Sequence, residues 1–172
     1  VPGVVIDRQC GSSQQAVHFA AQAVMSGVND VVIAGGLQTM TAIPIMSAAM
    51  AGQALGFKDP YSGSKGWTAR FGDAPVSQFH GAEMMCDKWN LSRQDLEVFA
   101  LESHRRARAA IAEGRFNREL VPLEGLEQDE TTRETSLEQM AKLEPLRPGG
   151  KITAGVSSQT CDASSAMLVV SE

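Results

Sequence analysis

Aromatic residues are scarce in this sequence: two Trp, one Tyr and six Phe make up 5% of 172 residues. A core built from large rings is excluded, and the many Ala, Val and Gly residues point instead to helices packed closely on a sheet. Basic residues are outnumbered, 15 Lys and Arg against 20 Asp and Glu, for a net charge of −5 and a pI near 5.2. The clustered basic surface that a phosphate backbone demands is missing, so no nucleic-acid partner is expected. Cysteines number three and fall in neither a CxxC pair nor a disulfide framework, which suggests a reducing compartment. No cysteine or histidine cluster suggests a metal site. No apolar run approaches the ~20 residues needed to span a bilayer, and no signal peptide opens the chain. The expectation is a cytoplasmic protein without a membrane span, of one domain or one and a part.

What is present is organised around Val4-Val5-Ile6-Asp7-Arg8-Gln9-Cys10-Gly11-Ser12-Ser13-Gln14-Gln15-Ala16. The β-branched run predicts a buried strand over 4–8. Gly11 permits a tight turn and a following serine can cap a helix. Apolar residues at 16, 17, 20, 21, 23 and 24 then predict a helix over 12–26, with Gly27 at its C-terminal end. A second strand over 30–35 completes a strand–helix–strand unit whose strands should pair in parallel. Gly35-Gly36 should turn close beneath the helix. One thiol therefore sits where a strand meets a helix N-terminus, a place that favours the thiolate and makes a nucleophile without metal or cofactor. A lone cysteine is also a common core residue, so the turn alone leaves the choice open.

Farther along, Ile45–Met50 reads as a short helix and residues 51–77, rich in glycine, as a long excursion with little regular structure. Helices are expected from Gln78 to Lys88, and from about Ser92 to Gly114 behind a capping box with Asp95 in place of the usual Glu. His104 and the run Arg105, Arg106, Arg108 read as a solvated helix face. His18 lies about 12 Å along its helix from Cys10, too far to deprotonate it. Glu119–Glu124 reads as a strand, Ser136–Leu143 as a short helix, and Ala166–Val170 as a closing buried strand; Cys86 and Cys161 read as structural thiols.

Asp7-Arg8-Gln9-Cys10-Gly11-Ser12-Ser13-Gln14-Gln15-Ala16 resembles the nucleophile motif of thiolases, CoA-dependent acyltransferases that make or cleave 3-ketoacyl-CoA. Val31–Thr41 resembles the strand and Gly-Gly loop that follow it in the family. Gly81-Ala82-Glu83 with Trp89–Arg93 is similar to the start of the substrate-covering loop domain. Gly114-Arg115-Phe116 with Glu119–Pro122 matches another recurrent segment, and Thr153-Ala154-Gly155-Val156-Ser157-Ser158 looks like the pantetheine-contacting loop. The resemblance covers essentially the whole chain. It implies an α/β, thiolase-like fold: part of the N-terminal αβαβα half over 1–44, an inserted loop domain over 45–150, and a return to the first half over 151–172. The family's C-terminal half, with its Asn-Glu-Ala-Phe, Gly-His-Pro and Cys-Gly-Gly motifs, is absent from this sequence. On that comparison the chain is a nucleophile-bearing piece that should not turn over alone.

The resemblance makes Cys10 the catalytic nucleophile. It places Ser158, with Ala154 and Gly155, against the pantetheine arm, and His80 in the acyl cleft. CoA and acetyl-CoA enter as substrates, with no bound cofactor, and a homodimer or homotetramer is implied. At Gln78-Phe79-His80-Gly81-Ala82-Glu83 the commoner family pattern is Met-Gly-x-x-Ala-Glu, and this departure hints at a bulky or unusual acyl group, as in lipid or sterol side-chain degradation. Two other readings stand beside the acyltransferase: a decarboxylating condensing enzyme of the same fold, and a non-catalytic acyl-CoA-binding or assembly module.

Overall fold

A computed structural model describes residues 2–172. The backbone divides into two compact units, one formed by residues 2–60 with Thr160–Glu172 and the other by Tyr61–Gln159.

In the first unit, α1 (Ser12–Met25) packs on a two-stranded sheet of β1 (Val31–Thr39) and β2 (Asp162–Val170). The strands are antiparallel, with Val31 opposite Val170 and Thr39 opposite Asp162. Alternation along β1 explains which face α1 covers. Ala34 is buried and Val32 half-buried, whereas Val31, Ile33 and Leu37 on the other face are exposed. Gly36 belongs to the covered face: a Cβ there would stand 3.8 Å from Ser13 Oγ. The Asp162 carboxylate accepts from the Thr41 N–H at 2.9 Å, tying the end of β1 to the start of β2. A short helix α2 (Ser47–Met50) and a 3-10 turn over Ala51–Leu55 follow.

The structure departs from several sequence expectations. The run Val4–Ile6 forms no strand; its backbone is irregular and Val4 and Val5 are almost fully exposed. The second strand pairs not in parallel with that run but antiparallel with β2. Gly35 and Gly36 lie within β1 rather than in a turn. The closing strand forms, but nearly all of it is exposed rather than buried.

The second unit is helical. α3 (Lys65–Phe71) lies in the stretch expected to be irregular. Its Ser64 hydroxyl caps the Trp67 N–H at 3.3 Å, and Tyr61, Trp67 and Phe71 stack with centroids 4.5 Å apart. α4 (Gln78–Lys88) begins behind Ser77, and α5 (Arg93–Ala112) behind the Ser92–Asp95 capping box. Gly114 ends α5 with a φ of 69°, the left-handed conformation that glycine adopts without penalty. The expected strand over 119–124 is replaced by a single bridge between Leu123 and Leu126, since Pro122 can donate nothing to a ladder. α6 (Leu137–Ala141) is capped by Ser136. Among the described residues no helix is long and apolar enough to cross a membrane.

Candidate functional site

Cys10 occupies the middle of a 3-10 turn, Gln9–Gly11, that opens directly into α1. The turn is held locally. The Gly11 N–H donates to the Arg8 carbonyl at 3.1 Å, the Gln9 N–H to the Asp7 carboxylate at 3.1 Å, and the Ser12 N–H to the Gln9 carbonyl; the Cys10 N–H is not among these donors. Ser12 does not cap the helix as the sequence suggested. Its hydroxyl instead reaches back, accepting from the Arg8 N–H at 2.8 Å and donating to the Gln9 carbonyl at 2.8 Å. Gln9 is driven to a φ of 48°, a left-handed conformation that costs a non-glycine residue about 1–2 kcal/mol. The sequence pointed to Gly11 as the special residue of this turn, yet Gly11 has an ordinary φ of −92°. The result is an exposed thiol on a sharply bent backbone at the end of a helix where unpaired N–H groups gather.

The remaining sequence-selected residues lie in the other unit. Ala154, Gly155 and Val156 form a 3-10 turn behind Thr153. The turn closes on itself: the Val156 N–H and the Ser157 hydroxyl both reach the Thr153 carbonyl, at 3.2 and 2.8 Å. Gly155 is buried, whereas Ala154 and Ser158 are exposed. Glycine at 155 reflects a close approach, because a Cβ would stand 2.8 Å from Leu143 Cδ1 and 3.6 Å from Met140 Cγ. The Thr153 side chain is fully enclosed and its hydroxyl meets no partner among the described residues.

His80, half-buried in the first turn of α4, has Nδ1 at 3.3 Å from Arg147 Nη1. A guanidinium only donates, so Nδ1 is the acceptor in this contact.

Two acidic residues to which the sequence reading gave no role organise this unit. Glu83 on α4 is 3% exposed, and its Oε1 accepts from both the Lys151 and Ile152 N–H groups, at 2.8 and 3.0 Å. Glu97 on α5, equally buried, is paired with Arg93 Nε at 2.7 Å. Arg93 Nη2 continues to the carbonyls of Met140, Ala141 and Leu143 at 2.9, 3.2 and 2.8 Å, capping the C-terminal end of α6. The available signal was positional. Glu83 is three residues from Cys86, and both fall on the buried side of α4.

The family described as "Thiolase, N-terminal domain" matches residues 1–172. The steroid 3-ketoacyl-CoA thiolase FadA6 of Mycobacterium tuberculosis is 52% identical over 100% of this chain and 43% of its own length. A 3-ketoacyl-CoA thiolase of Pseudoalteromonas translucida is 38% identical, covering 100% of this chain and 44% of its own. The solved acetyl-CoA acetyltransferase of Syntrophomonas wolfei superposes with a TM-score of 0.72 at 31% identity, over 95% of this chain and 43% of that one. The chain thus spans less than half the length of these relatives.

Proposed function

This chain belongs to the thiolase family, and from that premise we propose that it carries the nucleophile of a 3-ketoacyl-CoA thiolase, with Cys10 as the acylated residue. The observation that carries the reading is the Cys10 turn: an exposed thiol on a bent backbone at a helix N-terminus, within a chain that matches the family throughout. In the cleaving direction the Cys10 thiolate forms a bond to the 3-keto carbon of a 3-ketoacyl-CoA while the carbonyl electron pair moves to oxygen. The Cys10 N–H helps hold that oxyanion. Collapse breaks the C2–C3 bond, releases acetyl-CoA as a carbanion that takes up a proton, and leaves an acyl-cysteine. The thiolate of a second CoA then takes the acyl group and restores the cysteine thiolate. In the condensing direction Cys10 attacks the thioester of acetyl-CoA, expels the CoA thiolate, and passes the acetyl group to the carbanion that forms when a second acetyl-CoA gives up an α-proton.

On the same reading CoA and its thioesters are substrates, with no resident cofactor. The exposed Ser158, with Ala154 and Gly155, contacts the pantetheine arm, and His80 lines the acyl cleft within a loop domain over 45–150. The 52% identity to a relative named for steroid thiolysis, with the departure at Gln78–His80, supports a bulky, sterol-derived acyl group. Self-association into a dimer or tetramer is supported by the exposed apolar run at Val4 and Val5 and by the uncovered face of β1 and β2. A reducing, cytoplasmic setting accords with three free cysteines.

The test is intact mass and peptide mapping of the protein carrying this chain after incubation with acetyl-CoA. An acetyl group on the Cys10 peptide, lost in Cys10→Ala, is the expected result. CoA binding without any adduct would overturn it in favour of a non-catalytic binding module.

A further inference from the structure

The main-chain donors that precede the Thr153–Ser158 turn are held by a side chain from a helix nearly 70 positions earlier in the sequence. A buried carboxylate loses several kcal/mol of hydration, and the partners of Glu83 among the described residues are main-chain N–H groups. Lys151, whose N–H it accepts, sends its ammonium to Asp87 at 3.2 Å, and Arg147 is engaged with His80. One oxygen, Oε1, takes two successive N–H groups at charge-assisted distances. On the segment's other side the Ile152 carbonyl accepts from the Leu146 N–H at 2.8 Å. Residues 151 and 152 are thereby fixed on both sides. The turn that follows is closed by its own bonds and meets Pro145 in a bridge at Thr153, so its starting point is set by this anchor together with that bridge. Gly150 completes the arrangement, since a Cβ there would collide with Glu83 Oε1 itself.

We propose that Glu83 is a positioning residue for substrate binding: through the Lys151 and Ile152 N–H groups it sets the turn that presents the exposed Ser158 and Ala154 to CoA. The proposal rests on the thiolase reading above and extends it to a residue that touches no substrate.

The experiment compares steady-state kinetics of Glu83→Gln, Glu83→Asp and Glu83→Ala in the protein carrying this chain, with hydrogen exchange at the Lys151 and Ile152 amides. Gln keeps an acceptor at the position of Oε1. Asp keeps the charge but is one methylene too short. We expect Glu83→Gln to stay within about threefold of the unsubstituted protein. Glu83→Asp and Glu83→Ala should raise KM for acetyl-CoA about tenfold, with kcat changed far less and both amides exchanging faster. Should Glu83→Ala not fold, the Gln and Asp pair carries the test. Unchanged KM in Glu83→Asp with its amides exposed, or Gln no better than Asp, would overturn the proposal while leaving the thiolase reading intact. An unsubstituted protein that neither binds CoA nor acylates Cys10 would overturn both.

Discussion

Replacing Arg93 by alanine should be among the most damaging single changes in residues 61–159. The side chain makes one bond to Glu97 and three to carbonyls at the end of α6. Its partner is 6% exposed, while Arg93 itself is 29% exposed. Removing one member of a buried pair typically costs about 3–5 kcal/mol because a charge is left without a partner. Water reaches part of the Arg93 guanidinium, so the lower end applies, about 3 kcal/mol. Arg93→Lys should recover less than half of this, because one ammonium cannot span Glu97 and three separate carbonyls. In the double variant Arg93→Ala/Glu97→Gln the stranded charge is gone, and the loss should fall short of the sum of the single losses by about 1–2 kcal/mol. Urea unfolding followed by tryptophan fluorescence reads this directly, since both tryptophans of the chain, Trp67 and Trp89, lie in this unit. A loss below about 0.5 kcal/mol for Arg93→Ala would make the pair an ordinary screened surface contact and refute the reasoning.

Two further outcomes follow from the same unit. Gly150→Ala places a methyl against Glu83 Oε1 and 2.8 Å from Arg147 Cγ, so it should cost about 1–3 kcal/mol; denaturation indistinguishable from the unsubstituted protein would contradict the packing. On the exposed face of α5, hydrogen bonds from Arg105 and then Arg106 hold the Glu102 carboxyl at about 2, against an ordinary 4.5. A pKa depressed in the folded state stabilises fully above the ordinary value and is lost as pH falls through about 2. NMR titration should therefore show Glu102 still ionised at pH 3, and an ordinary carboxylate midpoint would sink the assignment.

Elements whose determinants are local were legible from sequence. Helix α1 follows from its apolar spacing, and α5 from the Ser92–Asp95 box at one end and Gly114 at the other. Pairing partners were not legible. Val4–Ile6 has the composition of a strand, but composition does not supply a neighbour, and β1 finds its partner more than 120 positions later in the chain. α3 was hidden because Gly66 and the glycines around it weaken the helical pattern, while its Ser64 cap and the Trp67–Phe71 stack carry it. The place of Cys10 at the head of α1 was legible from the turn residues around it. The strain beside it was not, because the left-handed residue is Gln9 rather than a glycine. The anchoring role of Glu83 was not legible, since a carboxylate's burial depends on a backbone segment that the sequence places far away.

The antiparallel register joins position 31 to 170 and 39 to 162, with the whole of Tyr61–Gln159 strung between. On a ribosome adding about 5–20 residues each second, β1 waits roughly 6–25 s for the first residue of its partner to be made. During that interval the backbone edge of β1 that β2 will pair stands open, beside a face where Val31, Ile33 and Leu37 are exposed. The intervening helices, whose contacts are mostly closer in sequence, can condense first and shorten the loop that the two strands must close. Synthesis order thus makes the sheet beneath the Cys10 helix the last part of this chain to form, and the interval before β2 emerges is when a holding chaperone matters most.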